Sequence, residues 1–360
     1  MKTLLHILLV GTIVLTSCTN EQIKNEITGD KKEQVDPSKE IAKLDAFLRK
    51  FDEPSQIFKV PGNKLIKVKG KQGTIILINP SDLETESGQP LASSIEIELK
   101  ELSNQQQLLR ANAQTVSDGQ LLVSGGACYI NATSGGGKIK LKTGKTYSVA
   151  FPKTSNNEMS LYYGQRDSSG NMNWKQAGKY FKIQKPIDYL SRMYDVLVVT
   201  GKDTSRKTAR SDINAKDYQE QLGDSKLSEK VYAPIALDQF GWINCDRLFN
   251  KDAPRTTVQF VITNKVEEVN YVSVSLIFND IKSIMKSYYY IYDDKIEGDR
   301  FENIPVGMKA RFLAVSYQHD KIFAALTDEK LLAEKHKENL LLKEMSEKEF
   351  DELMGSVKGS

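Results

Sequence analysis

Alternation with a period of two restricts this chain more than any other feature. Ile95-Glu-Ile-Glu-Leu99 puts an apolar side chain at every second position, and Thr257 to Thr263 and Tyr271 to Phe278 repeat the pattern. Such a strand packs one face and wets the other, the mark of an antiparallel sandwich. Gly73-Thr-Ile-Ile-Leu-Ile78 stops at Asn79-Pro80, and Lys138-Ile-Lys-Leu141 passes through Thr143-Gly144-Lys145 into Thr146 to Phe151. Asp118-Gly119, Ser134-Gly135-Gly136-Gly137 and Ser169-Gly170-Asn171 supply hairpin turns where positive φ is wanted. A length of 360 residues allows two or three domains, since one takes about 100–200 residues.

The start of the chain has a different character. Lys2 precedes an apolar stretch from Leu4 to Leu15, and Leu15-Thr16-Ser17-Cys18 forms a small-residue cleavage site. The stretch is too short to span about 30 Å of hydrocarbon, so residues 1–17 read as an export signal and not as a membrane helix. Residues 18–36 are rich in Asn, Glu, Gln, Lys and Thr and read as a disordered tether. Asp36-Pro37-Ser38-Lys39-Glu40 then opens an amphipathic helix over 37–53, with Ile41, Leu44, Leu48 and Phe51 on one stripe, ended by Glu53-Pro54. Docking on a neighbouring domain is expected of that stripe, because Lys is interleaved with Glu and Asp.

The strand pattern divides the body into a β-sandwich over 56–179, a mixed connector over 180–240 and a second sandwich over 241–345. In the connector, Ile187, Leu190 and Met193 suggest a helical turn, Val196 to Val199 a strand, and Tyr218 to Leu222 a short helix. Its loop carries Lys202, Arg206, Lys207 and Arg210, interrupted by Asp203 and Asp212, and reads as solvated charge. Ser346-x-x-Glu349 is a capping box that opens a terminal helix within 346–360. The fold class expected is therefore mainly β: two antiparallel β-sandwich domains joined by a mixed α/β connector, with a short helix at each end.

Several motifs carry family resemblances. Leu-x-Ser-Cys18 looks like a bacterial lipoprotein box, which implies diacylglycerol and a fatty acid on Cys18 and a mature chain beginning there; an ordinary secretory signal with a chance Cys is the alternative. More than one acyl chain satisfies the requirement for stable anchoring. Thr19 in place of Asp implies transfer to the outer membrane, and the absence of an acidic run after Cys18 favours its periplasmic face over the cell surface. Gly70-x-x-Gly73-Thr74, Gly88-x-Pro90, Ile95 to Glu101, Gly119 through Ser124-Gly125-Gly126, Tyr129-x-x-Ala132 and Tyr147 to Pro152 resemble, in order, a ZU-type β-sandwich of the zonula occludens and netrin-receptor kind. That module is an adaptor piece. Some versions cleave themselves at a His-Phe-Ser step, and no His lies in this region. Phe301-Glu-Asn-Ile-Pro-Val-Gly307 before a Val-rich strand resembles a transthyretin-like or carboxypeptidase-regulatory sandwich. The leader, these two modules and Gly241-Trp-Ile-Asn-Cys-Asp-Arg247 together are similar to a group of Bacteroidota-type cell-envelope proteins.

Residues able to do chemistry are few. Lys+Arg 50 against Asp+Glu 47 leaves a net charge of +3, too little for a nucleic-acid binder held by phosphate contacts. Gly144-Lys145-Thr146 resembles the end of a phosphate loop, but Ile139 stands where the first glycine belongs and a strand follows. His319 and His336 are 17 apart and match no zinc spacing, so neither a metal nor a cofactor is expected. Asp293, Asp294, Glu297 and Asp299 crowd a loop without calcium spacing and read as a solvated turn. Cys128 and Cys245 are a possible disulfide in an exported protein, or two small buried residues in separate domains. Tyr288, Tyr290 and Tyr292 are the possible ligand-facing aromatics, and alternation sends about half such rings inward. No catalytic residue emerges. The reading is a non-catalytic outer-membrane lipoprotein, held to the membrane by its lipid and serving as a structural or interaction module for another envelope protein. The alternative is a lipoprotein that binds or hydrolyses glycan, which would need coplanar exposed rings or two acids about 5–9.5 Å apart in a cleft.

Overall fold

Ile95, Ile97 and Leu99 are fully buried while Glu96, Glu98 and Lys100 lie on the opposite side of their strand, as the alternation requires. The computed structural model describes residues 37–167, 170–183, 230–249, 252–264, 269–290 and 299–357, and over these the protein is mainly β with antiparallel sheets and few helices. Cys18, the leader, the tether and the connector features between Ile187 and Leu222, its basic loop included, lie outside the described residues; so do Asp293, Asp294 and Glu297.

Among the described residues thirteen strands build the first sandwich. They are β1 (Gln56–Pro61), β2 (Ile66–Lys69), β3 (Ile75–Ile78), β4 (Leu83–Thr85), β5 (Ser94–Leu102), β6 (Val116–Ser117), β7 (Gln120–Ser134), β8 (Gly137–Leu141), β9 (Tyr147–Ala150), β10 (Met159–Arg166), β11 (Met172–Phe181), β12 (Ile235–Leu237) and β13 (Gly241–Leu248). One sheet runs β1-β5-β7-β13-β10-β11 and the facing sheet β12-β9-β3-β2. Ile97, Ile130, Val149, Leu161 and Ile243 fill the space between them. Two-residue loops at Asp118-Gly119 and Gly135-Gly136 have positive φ at both positions, the twist-matched hairpin geometry expected from the sequence.

The second sandwich consists of β14 (Arg255–Ile262), β15 (Tyr271–Phe278), β16 (Ser283–Tyr290), β17 (Asp299–Pro305), β18 (Lys309–Gln318), β19 (Lys321–Leu326), β20 (Lys330–Leu331), β21 (Lys337–Leu340) and β22 (Lys343–Met345). Its sheets run β17-β14-β21 and β16-β15-β18-β19-β22, with Phe260, Leu276, Phe301 and Phe312 between them. The expected boundary at Gly241 is corrected by this topology. Gly241–Leu248 is hydrogen-bonded between β7 and β10, and Ile235–Leu237 joins β9, so both strands belong to the first sandwich.

A third core lies between the sandwiches. Leu44, Phe47 and Leu48 of α1 (Pro37–Arg49), Leu108 and Leu109 of α2 (Gln105–Arg110), and Phe350 and Met354 of α3 (Glu347–Gly355) pack there with Trp174 from the first sandwich and Val315 from the second. The amphipathic helix therefore docks within the protein, and Ser346 with Glu349 forms the expected reciprocal cap of α3. This interface also corrects the reading of Tyr271 to Phe278 as half-wetted: β15 is buried at all eight positions. Its Ser273 and Ser275 face Leu48 of α1, Leu109 of α2 and Met354 of α3, and these helices cover the side that alternation alone assigns to water.

The glycine turn at Gly70–Thr74 has a packing reason. Glu101 is buried, and its carboxylate accepts from the backbone of Gln72 and of Thr74, each at 2.9 Å, closing the Gly70–Thr74 turn. A Cβ at Gly70 would lie 2.4 Å from the same carboxylate.

Candidate functional site

Two groups of buried polar side chains with displaced titration lie on the inter-sandwich side of the first sheet. The first is a bulge. Between Asn244 and Asp246 the register of β13 shifts against β7, so Gly125 and Gly126 together oppose Cys245. Gly126 has φ 112°, and a Cβ on Gly125 would stand 2.4 Å from the Cys245 carbonyl oxygen. Only this close approach brings the Gly125 N–H to Asp246 Oδ1 at 3.0 Å; Asn244 Nδ2 donates to Oδ2 at 2.7 Å. Asp246 is wholly buried, and desolvation pushes its carboxyl up to about 7 against the pull of these donors. Gly125→Ala is expected to pry the bulge open at a cost of about 1–3 kcal/mol, read as a lowered denaturation midpoint; an unchanged midpoint would contradict the close approach.

The second place joins four elements. Arg166, at the end of β10, donates from Nη1 to the carbonyls of Asn112 and Gly170, both at 2.7 Å, and from Nη2 to the Ala111 carbonyl at 2.8 Å. It also lies 5.3 Å from the centroid of the Trp242 ring. The turn after α2 is thereby pinned, with Asn112 in the left-handed region at φ 48°. Asn112 Nδ2 donates to Asp45 Oδ1 of α1 at 2.6 Å, and Lys286 Nζ of β16 donates to Asn112 Oδ1. Burial pushes the Lys286 amine down to about 8, with the Arg166 charge adding to the fall and Asp45 opposing it. Burial likewise raises the Asp45 carboxyl, against Lys286, Arg166 and Arg49. Tyr288 closes the group; its hydroxyl is enclosed and its titration is raised, by burial first and by Asp45 next. Beside Lys286 is a void of about 10 Å³ lined by Ser273, Ser275, Leu313 and Val315, about the room one water requires.

The residues singled out from sequence fall differently. Cys128 and Cys245 are buried free thiols, and burial raises both well above the usual thiol range. They occupy neighbouring strands of one core, which corrects their assignment to separate domains. Cys128 opposes Ile243 while Cys245 opposes the bulge, a diagonal placement. Such neighbours are about 7–8 Å apart, beyond the 4.4–6.8 Å that a disulfide accepts. Tyr288, one of the possible ligand-facing rings, is half-buried with its hydroxyl enclosed, and its ring stacks on Tyr271 at 5.7 Å. Tyr290 pairs with Tyr271 through its backbone, and Tyr292 lies outside the described residues. Tyr162 is buried beside Asp246, and Tyr163 donates to Asp238 at 2.8 Å.

Elsewhere, His336 Nε2 lies 3.1 Å from Glu338 Oε2, whose other oxygen accepts from Lys330 Nζ at 2.6 Å. Among the described residues no group of three or more His, Cys, Asp or Glu is placed to hold a metal, and no helix is long and apolar enough to cross a membrane. An open groove of about 320 Å³ on the second sandwich is lined by Gln259, Phe260, Val261, Asp299, Arg300 and Lys337. Asp45, Asn112, Arg166, Lys286 and Asp246 were not visible as a set in the sequence. The nearest signal was Lys286 itself, a charge sharing its strand face with Ile284 and Tyr288. No protein-family model matches the chain, and no curated protein matches it.

Proposed function

We propose that this chain is a non-catalytic cell-envelope lipoprotein, anchored in the outer membrane through an acylated Cys18 and serving as a structural or protein-interaction module. The observation that carries the reading is the placement of the reactive groups. Asp45, Lys286 and Arg166 are turned toward one another between the sandwiches, where they join the two modules. Rigid stacked sandwiches on a lipidated tether present loops and sheet edges to a neighbour in the envelope, and β-rich modules commonly bind in that way. The burial of Tyr162 and the stacking of half-buried Tyr288 on Tyr271 favour a protein partner over a glycan, since stacking on sugar needs free ring faces at the surface.

Labelling cells with a fatty-acid analogue is expected to mark the protein, and Cys18→Ala is expected to abolish the mark; retained label in that variant would refute the anchor. Crosslinking of intact envelopes should then recover a discrete protein adduct. Specific capture on a glycan array with no protein adduct, or polysaccharide turnover abolished by changing one acid, would replace this reading with the glycan one.

A further inference from the structure

We propose that Lys286 and Asn112 condense within the folded chain to an isopeptide bond from Nζ to Cγ, with Asp45 carrying the protons and ammonia leaving, so that the two sandwiches become covalently joined.

The geometry places the three parts of that reaction in contact. The Lys286 amine rests on the Asn112 side-chain carbonyl, and the amide nitrogen that must depart is hydrogen-bonded to Asp45 at 2.6 Å. Among the described residues neither charged form has its counter-ion within hydrogen-bonding reach, because a neutral amide stands between the amine and the carboxylate. Enclosure makes two such separated charges costly, and passing one proton from Lys286 to Asp45 removes both. The directions of titration agree: the amine is easier to deprotonate and the carboxyl harder to ionise than in water. A neutral amine is a nucleophile and a protonated carboxyl is an acid, the pair that acyl transfer from an amide requires.

The step balances without a co-reactant. The Nζ lone pair forms a bond to Cγ, and the carbonyl π pair moves to Oδ1. Asp45 gives a proton to Nδ2 and recovers one from Nζ. The oxygen pair then reforms the carbonyl, and the Cγ–Nδ2 bond breaks to release ammonia. Nothing is oxidised or reduced. Arg166 acts as a positioning residue: by gripping the carbonyls of Ala111 and Asn112 it keeps the amide from turning away. The other groups facing this relay are Arg49, Asp167 and Tyr288. Arg49 favours the ionised carboxyl, and Asp167 and Tyr288 lie on its opposite side of the balance or are neutral at pH 7.

The bond would close a segment whose ends are 174 residues apart, between a turn of the first sandwich and a strand of the second. It requires neither the lipid nor a partner, so its failure and that of the anchored-module reading are separable.

The test is peptide mapping by mass spectrometry of the full chain after incubation at pH 8. The expected result is a branched peptide joining the segments around Asn112 and Lys286, one ammonia lighter than their sum. Lys286→Arg and Asp45→Ala are expected to lack it. Both segments recovered unlinked from the folded wild type, or an ammonia loss mapping to Asn112 alone, would overturn the proposal. The wild-type result decides the matter whether or not either variant folds.

Discussion

Truncating Phe47 to alanine is expected to destabilise the protein by about 3–5 kcal/mol, the range for removing a fully buried aromatic ring. Phe47 is 1% exposed on α1, yet two of the three rings it touches belong to distant parts of the chain. It stacks on Tyr317 of β18 with centroids 4.3 Å apart and interplanar angle 10°, and lies 5.3 Å from Phe350 of α3. Phe51 meets it edge-on at 5.2 Å. Collapse around the void is opposed by the sheets on either side, so the cost should lie toward the upper end of the range. Chemical denaturation of wild type and Phe47→Ala measures it, and Phe47→Leu should recover more than half of the loss by keeping most of the volume. A cost below about 1 kcal/mol would mean that α1 does not hold the sandwiches together.

That helix illustrates how far the sequence reaches. The stripe of Ile41, Leu44, Leu48 and Phe51 is local and periodic, so both the helix and its docking could be read. The hairpins at Asp118-Gly119 and Gly135-Gly136 were equally legible, because a turn needing positive φ selects its residues within two positions. What the helix docks against could not be read. Strand order is set by pairings between distant segments: alternation identifies Gly241–Leu248 as a strand and is silent on its insertion between β7 and β10. The same limit hid the Asp45, Asn112 and Lys286 relay, whose members are 67 and 174 residues apart and come from a helix, a turn and a strand. In isolation each is an ordinary polar residue beside apolar ones. Ser273 and Ser275 misled in the opposite sense, since small polar side chains on one strand face suit a wet surface and a tight interface equally well.

Asp246 should make stability fall as pH rises from about 4 to 7, opposite to the usual behaviour of a carboxylate in a salt bridge. Its folded value, about 7, stands above the ordinary value of 3.8, so between the two the folded state binds a proton that the unfolded chain releases. Stability then decreases with pH: the contribution is complete below the unfolded value and is lost as pH rises through the folded one. Three units of separation correspond to about 4 kcal/mol. The groups around the carboxyl are compatible with the acid form. Ser124, the Gly125 and Gly126 amides and Asn244 donate to it, and Tyr162 and Cys245 are uncharged at these pH values. Asn244 Oδ1 has no partner among the described residues, so rotation of that amide would offer an acceptor to a proton on Asp246 Oδ2. Asp246→Asn keeps the oxygen that the Gly125 amide needs and removes the titration. Denaturation midpoints at a series of pH values should therefore decline for the wild type across this window and stay flatter for the variant. Asp45, also raised by burial, contributes a smaller slope of the same sign in both proteins, which is why the difference between the two curves carries the result. Parallel curves would show that the buried carboxyl is ionised in the fold throughout, and that the donors at the bulge outweigh its loss of water.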